Sequence, residues 1–203
     1  MADSILDLLS QSLGSGAVQQ VGRQLGLDPG TASKAVSGAV PMLVSALANN
    51  AQQRGGAESL LAALDRDHDG SVLDDVAGFL GQGAPAQSAG AGILKHALGS
   101  RNDAAAQGLS KLAGIDTSKA GSVLAMLAPL VMGALGRAKR QQRLGPSDLG
   151  QMLGRERQRM ASEDAGVMGM ISGLLDRDGD GSVGDDVARM GAGLLGKFFG
   201  SGR

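Results

Sequence analysis

The sequence has no cysteine, tryptophan or tyrosine, and only three of its 203 residues are phenylalanine. Without cysteine there is no disulfide framework, no thiolate nucleophile and no sulfur-rich zinc site. The scarcity of aromatic rings leaves little for base stacking or for interfacial anchoring at a membrane. The core must therefore be built from Leu, Val, Ile, Met and Ala.

Charge is not in excess either, since 19 basic and 20 acidic side chains give a net charge of -1. This balance argues against a general affinity for nucleic acid or anionic lipid. The N-terminal residues, MADSILDLLSQSL, lack a basic region and a continuous apolar run, so we expect no secretory signal and a cytoplasmic location. The uncharged stretch 120–136 contains Gly, Ser and Pro, and we expect a buried core helix there, not a membrane span.

Motifs of catalysis are missing too. No GxxxxGK[ST], GxSxG or HExxH pattern occurs, and only His68 and His96 offer an imidazole. The clustered carboxylates are typical of metal ligands and not of a separated acid and base. We therefore expect no enzymatic activity, no catalytic residue and no organic cofactor.

An internal repeat organises the chain. Residues 26–47 align without gaps on 114–135, which places Pro41 over Pro129. The order short helix, long proline-bearing helix, acidic loop and short helix then occurs twice. The sequence predicts an all-α fold of two pseudo-repeated helical units, with a first unit at 1–83, a Gly/Ala-rich linker at 84–92 and an enlarged second unit at 93–203.

The long helices have recognisable start signals. Asp28 before Pro29 is an N-cap followed by proline at the first helical position, and Asp116 stands at the equivalent place in the second unit. Because proline lacks an amide hydrogen, Pro41 and Pro129 should kink or end their helices.

Two acidic loops are the strongest motif. DRDHDGSVLDDV at 65–76 returns as DRDGDGSVGDDV at 176–187. Carboxylates at the first, third and fifth positions and Gly at the sixth match the first two thirds of an EF-hand calcium loop. The helical patterns on both sides predict an EF-hand-like loop between helices, with Val72 tucked into the core.

The last third of each loop departs from an EF-hand, because Val76 and Val187 stand where a bidentate Glu is expected. Either Asp of the preceding pair, Asp74 or Asp75 and Asp185 or Asp186, could close the site, and we favour the second of each. The predicted calcium ligands are Asp65, Asp67, Asp69, Ser71 and Asp75 in the first loop, and Asp176, Asp178, Asp180, Ser182 and Asp186 in the second.

A metal-free turn is the alternative, since Ser71 and Asp74 also form a capping-box pattern. Five carboxylates in one loop repel each other at neutral pH unless a cation is bound. We therefore expect two calcium ions that act as structural staples. His68 corresponds to Gly179 in the second loop, so we expect it to face solvent and not to be a ligand.

Two other hypotheses about the function remain open. Residues 21–38 resemble a helix-turn-helix, but the recognition helix and its counterpart from 114 offer only Lys34 and Lys119 as cations, so nucleic-acid binding is not favoured. A homo-oligomeric scaffold built on Gly/Ala-rich helices is the other. The basic runs 137–143 and 155–159 favour a solvated helix surface over an anion or nucleic-acid patch.

The helix start GLDPGTAS, the proline-bearing helix after it and the segments LDRDHDGSVLDDVAGFLG and LDRDGDGSVGDDVARMGAGLLG carry a resemblance. Together they resemble the longer, glycine-rich members of the bacterial YidB-like family, which are all-helical proteins of unknown function. The resemblance covers most of the chain and implies a helical fold. It implies no activity, substrate or catalytic residue.

Overall fold

The computed structural model describes residues 5–163, which form eight α-helices, two short 3-10 turns and no β-strand. The all-α class is confirmed for this part of the chain. The helices are α1 (Ile5–Leu25), α2 (Pro29–Gln52), α3 (Gly56–Asp67), α4 (Val76–Gly81), α5 (Ala84–Leu98), α6 (Asn102–Ala113), α7 (Thr117–Gln142) and α8 (Pro146–Glu163), and the 3-10 turns are Ser71–Leu73 and Gly99–Arg101.

Helix α2 begins where the sequence predicts. The Asp28 carboxylate accepts hydrogen bonds from the backbone N–H groups of Gly30 at 3.1 Å and Thr31 at 3.0 Å. Hydrogen bonds from the Thr31 side chain and backbone hold the pKa of Asp28 below its usual value. Asp116 occupies the same position before α7, but its side chain makes no capping hydrogen bond. The two starts are therefore alike in sequence and different in bonding.

This difference generates a prediction for the pair Asp28→Ala and Asp116→Ala. Loss of a bonded cap should lower the thermal midpoint of the Asp28 variant by about 2–4 °C. Asp116→Ala should lower it less, because no side-chain cap bond is lost there. Thermal unfolding followed by far-UV circular dichroism measures both, and equal losses would contradict the assignment of the cap.

Two long helices, α2 and α7, lie at the centre of the fold and pack against each other. Each helix continues through its proline, Pro41 in α2 and Pro129 in α7. The prolines therefore do not end the helices, which was one of the two effects expected of them. Both are long and apolar enough to cross a membrane, and 72% and 83% of their apolar windows are buried inside the protein. The residues 123–136 are all buried, so the stretch 120–136 is a core helix, as expected.

The prediction of a linker at 84–92 is wrong, because these residues form the first part of α5. This helix packs against α7, and Gly90 lies so close to the Ala125 carbonyl that an added Cβ would overlap it. The glycine and alanine residues of this segment thus serve close helix packing.

The two predicted units do not separate into two cores within the described residues. Helices α1 and α5 pack against α7, and α6 packs against α2. One hydrophobic cluster includes residues from α1 to α8, such as Leu9, Leu43, Leu94, Leu127 and Leu153. The division at residues 83 and 93 therefore stays a prediction from the sequence repeat.

Helix α8 packs against α2 and also contacts the first turn of α1. The buried Glu156 carboxylate accepts a hydrogen bond from the Ile5 N–H at 3.2 Å. Its neighbour Arg157 donates to the side-chain oxygen of Asn49 on α2, and Arg159 lies 3.8 Å from the Asp7 carboxylate. The basic run 155–159 is thus partly engaged inside the fold.

Candidate metal site on the loop 65–76

The acidic loop, residues 65–76, connects α3 to α4 in the helix-loop-helix order that the sequence predicts. Helix α3 ends at Asp67, and Gly70 turns the chain with a φ of 91°, a conformation that glycine adopts most readily. The 3-10 turn follows, and the Asp75 carboxylate then caps α4 by accepting from the Gly78 N–H at 2.8 Å. The glycine turn thus lies at the sixth position of the loop.

Asp69 organises the tip of this turn. Its Oδ1 atom accepts hydrogen bonds from the Ser71 hydroxyl at 2.7 Å and from the Ser71 N–H at 3.0 Å. These two bonds, the hydroxyl first, lower the pKa of Asp69 below its usual value. The carboxylate is therefore ionised at neutral pH.

The loop lies directly on the surface of α7. A Cβ added at Gly136 would overlap the His68 carbonyl oxygen, and one added at Gly133 would overlap the Val72 side chain. Val72 is partly buried and packs against the core, as predicted. Two glycines one turn apart on α7 thus form the shallow surface that receives the loop backbone.

His68 lies at this contact and is half-buried, so the expectation that it faces solvent holds only in part. Burial lowers the pKa of its imidazole below the usual value. The ring is therefore neutral at pH 7.

Basic side chains surround the carboxylates of the loop. Arg137, Lys139 and Arg140, which we call the basic end of α7, pair with Asp74, Asp65 and Asp69 respectively. Arg137 also donates to the Gly70 carbonyl at 3.0 Å. Within the loop itself, Arg66 lies 2.7 Å from the Asp67 carboxylate.

These pairs separate the predicted ligands of the first loop. Asp65 and Asp69 face different cations of α7, Asp67 faces Arg66, and Asp75 bonds to α4. Among residues 5–163, no group of three or more His, Asp or Glu side chains is arranged to hold a metal ion. The ligands of the second loop, Asp176, Asp178, Asp180, Ser182 and Asp186, lie outside the described residues.

Repulsion among the carboxylates of the first loop is thus largely relieved without a bound cation. Four of the five carboxylates pair with a cationic side chain, three with cations of α7 and Asp67 with Arg66, whereas Asp75 caps α4. The run 137–143, expected to form a solvated surface or to bind an anion or nucleic acid, supplies three cations that pair with the loop. The opposite charges of this run and of the acidic loop were visible in the sequence. Local sequence patterns could not show, however, that the two distant segments lie side by side.

A family model described as "Bacterial protein of unknown function (DUF937)" matches residues 7–138, more than half of the chain. The chain belongs to this family. No curated protein and no solved structure matches the chain. The resemblance to helical bacterial proteins of unknown function is therefore confirmed at the level of the family, and the YidB-like label within it stays a prediction.

The matched region, residues 7–138, contains some parts of the candidate site and not others. The acidic loop and both glycines that receive it are inside, whereas Lys139, Arg140 and all of α8 follow its last matched residue. The two glycines that contact the loop thus belong to the matched region. Of the three cations of α7 that pair with the loop, two lie outside it.

The contact between loop and helix predicts opposite effects for two glycine substitutions in α7. Gly136→Ala should destabilise the protein by roughly 1–3 kcal/mol, because its Cβ would push the His68 carbonyl and the loop away. Gly121→Ala should be neutral or stabilising by up to about 1 kcal/mol, since its Cβ meets only the Ala106 Cβ at 3.9 Å and alanine favours the helix. Urea unfolding gives both free energies, and effects of the same sign would refute the docking.

Proposed function

We propose that this chain is a non-enzymatic helical protein that binds calcium at its two acidic loops, each an EF-hand-like loop of one pseudo-repeated unit. The observation that carries the proposal is the first loop itself. Asp65, Asp67 and Asp69 stand at alternating positions before a glycine turn, and their side chains are 56%, 48% and 58% exposed. Calcium from solution therefore has access to all three carboxylates.

The ion pairs around the loop do not oppose this proposal strongly. Exposed pairs between carboxylates and Lys or Arg contribute about 0–1 kcal/mol each, because water competes with both partners. A divalent ion that gathers several oxygens at once interacts with all of them. Rotation of exposed Asp side chains towards one ion therefore costs little, and Asp75 or Asp74 supplies the closing oxygen.

The ion would act as a structural staple between α3, α4 and the surface of α7. A ligand that binds only the folded state raises the free energy of unfolding by about 2.7 kcal/mol at a hundredfold excess over its Kd. Val72 and Leu73 already fix the loop to the core. Calcium would thus strengthen an existing contact, and no opening of helices is part of the proposal.

DNA binding through a helix-turn-helix is the alternative, and one observation favours it. Helix α1 ends at Leu25, a short turn follows, and the first turns of α2 expose Ser33, Lys34 and Ser37. The cationic charge of the second helix is small, however, because Lys34 is the one Lys or Arg of α2. Lys119 of α7 adds a second ammonium near the turn, 3.5 Å from the Gly26 carbonyl. Phosphate contacts require several Lys or Arg side chains.

A homo-oligomeric scaffold is a further alternative, which light scattering of the full chain distinguishes by mass. A cytoplasmic location and the absence of a membrane span stay predictions.

Isothermal titration with calcium tests the proposal on the full chain. We expect two bound ions for the wild type, one each for Asp67→Asn and Asp178→Asn, and none for the double variant. Asp67 is the informative position in the first loop, because its ion pair is with Arg66 and its removal leaves the pairs to α7 in place.

The matched control is Asp103→Asn on α6, a helix that supplies none of the loop's partners, and it should retain two ions. Absence of calcium heat in the wild type, or equal stoichiometry in all variants, would exclude the predicted ligands. Chelator should lower the melting midpoint of the wild type and leave that of the double variant unchanged.

A further inference from the structure

Helix α1 is divided into two parts at Gly14. This residue has a φ of 32° and a ψ of -173°, so the helix is kinked there. Such a backbone is open to glycine and strained for a residue with a Cβ atom. Gly99 stands at the matching place of the internal repeat, where LLSQSLGS at 8–15 aligns with ILKHALGS at 93–100, and its φ of 54° is also positive. The chain thus departs from helical geometry at both equivalent glycines.

The two parts of α1 have different partners. The second part is bonded to α4, because the Gln24 side chain donates to the Gly81 carbonyl at 3.2 Å. The first part, residues 5–13, which we call the arm, is bonded to α8 through Glu156 and Arg159. The arm can therefore lose its partners without disturbing those of the second part.

Two opposing contributions act on the closed arm. Ile5, Leu9 and Leu13 are spaced by four residues and buried, so apolar contact holds one face of the arm against the core. Against this, the Glu156 carboxylate is buried, and its Oε2 atom has no hydrogen-bond partner in the part of the chain that the structure describes. A buried carboxylate oxygen without a partner costs free energy, which hydration recovers when the arm moves away.

We infer that the arm is a hinged element, which swings about Gly14 away from α8 while the rest of the described fold stays intact. Opening hydrates Glu156 and exposes the apolar face of the arm. Helix α8 is the latch of this device and follows the region that the family model matches, whereas Gly14 lies inside that region. The device goes beyond the proposed function and requires no ligand at the acidic loops.

Amide hydrogen exchange of the full chain, read by mass spectrometry of its peptides, measures the opening. The comparison uses residues 9–13 of the arm and residues 19–25 of the second part, because the first four amide hydrogens of a helix lack helical acceptors. In the wild type, residues 9–13 should exchange faster than residues 19–25. Exchange at equal rates would contradict an arm that opens by itself.

Gly14→Ala should shift the arm towards the open form. Alanine is strained at the positive φ of the closed form and unstrained in the straight helix that opening permits. Exchange at residues 9–13 should therefore become roughly fivefold to thirtyfold faster. Exchange at residues 19–25 should not change.

Gly16→Ala is the matched control. A Cβ added at Gly14 or at Gly16 meets no atom within 4 Å outside the local backbone, and of the two glycines only Gly14 has a positive φ. Gly16→Ala should leave exchange in the arm within about twofold of the wild-type rate. Equal acceleration by both substitutions would trace the effect to the added methyl group and overturn the hinge.

A cross-link tests the latch in an otherwise wild-type chain, which has no native cysteine. The side chains of Asp7 and Arg159 approach to 3.8 Å, so Asp7→Cys and Arg159→Cys can be joined by a short bismaleimide. The cross-link should slow exchange at residues 9–13 and leave residues 19–25 unchanged, relative to the same protein without cross-linker. Unchanged exchange in the cross-linked arm would overturn the inference.

The remaining outcomes are equally decisive. Acceleration of both parts of α1 by Gly14→Ala would show a general loss of stability, and no acceleration would show that the kink is not a hinge. Either result overturns the inference. Calcium titrations concern the acidic loops alone, so failure of the proposed function leaves the hinge in place, and failure of the hinge leaves the proposed function in place.

Discussion

The close packing of the acidic loop against α7 is the contact on which the rest of the candidate site depends. Gly133 and Gly136 bring the backbone of the loop against the helix, and any side chain at Gly136 would overlap the His68 carbonyl. This approach puts the carboxylates beside Arg137, Lys139 and Arg140, which come from the end of the same helix. Close packing of the loop backbone against α7 therefore sets the position of the loop. The cations of α7 then pair with the carboxylates that remain exposed to solvent.

Charge balance changes the meaning of the acidic motif. A cluster of carboxylates suggests a metal site because the negative charges repel each other when no cation is near. Here, most of that cost is relieved by cations of the same chain, so a bound ion is not required for the fold. Under the proposed function, calcium would replace weak ion pairs, and its effect on stability would depend on its concentration. A protein of this kind would be folded without metal and more stable with it.

Sequence patterns gave the local features of this fold and missed the tertiary ones. The start of α2 at Pro29, the burial of 120–136, the helix-loop-helix order and the inward Val72 all follow from neighbours in the sequence. The segment 84–92 was misjudged because glycine and alanine are equally typical of a flexible linker and of a tightly packed helix; only the nearness of Gly90 to Ala125 decides between them. The pairing of Lys139 with Asp65 likewise depends on where two distant segments meet. The directions of the predicted ligand side chains could not be foreseen, because the cations that pair with Asp65, Asp69 and Asp74 come from a distant segment of the chain.

A double-mutant cycle between Asp65 and Lys139, in chelator, tests the central claim that α7 neutralises the loop. Free energies of unfolding for the wild type, Asp65→Asn, Lys139→Met and the double variant give the coupling between the two side chains. A favourable coupling of about 0.2–1 kcal/mol that decreases with added salt is the predicted result. Strictly additive effects, unchanged by salt, would contradict the account, because the loop would then be held without help from the charges of α7.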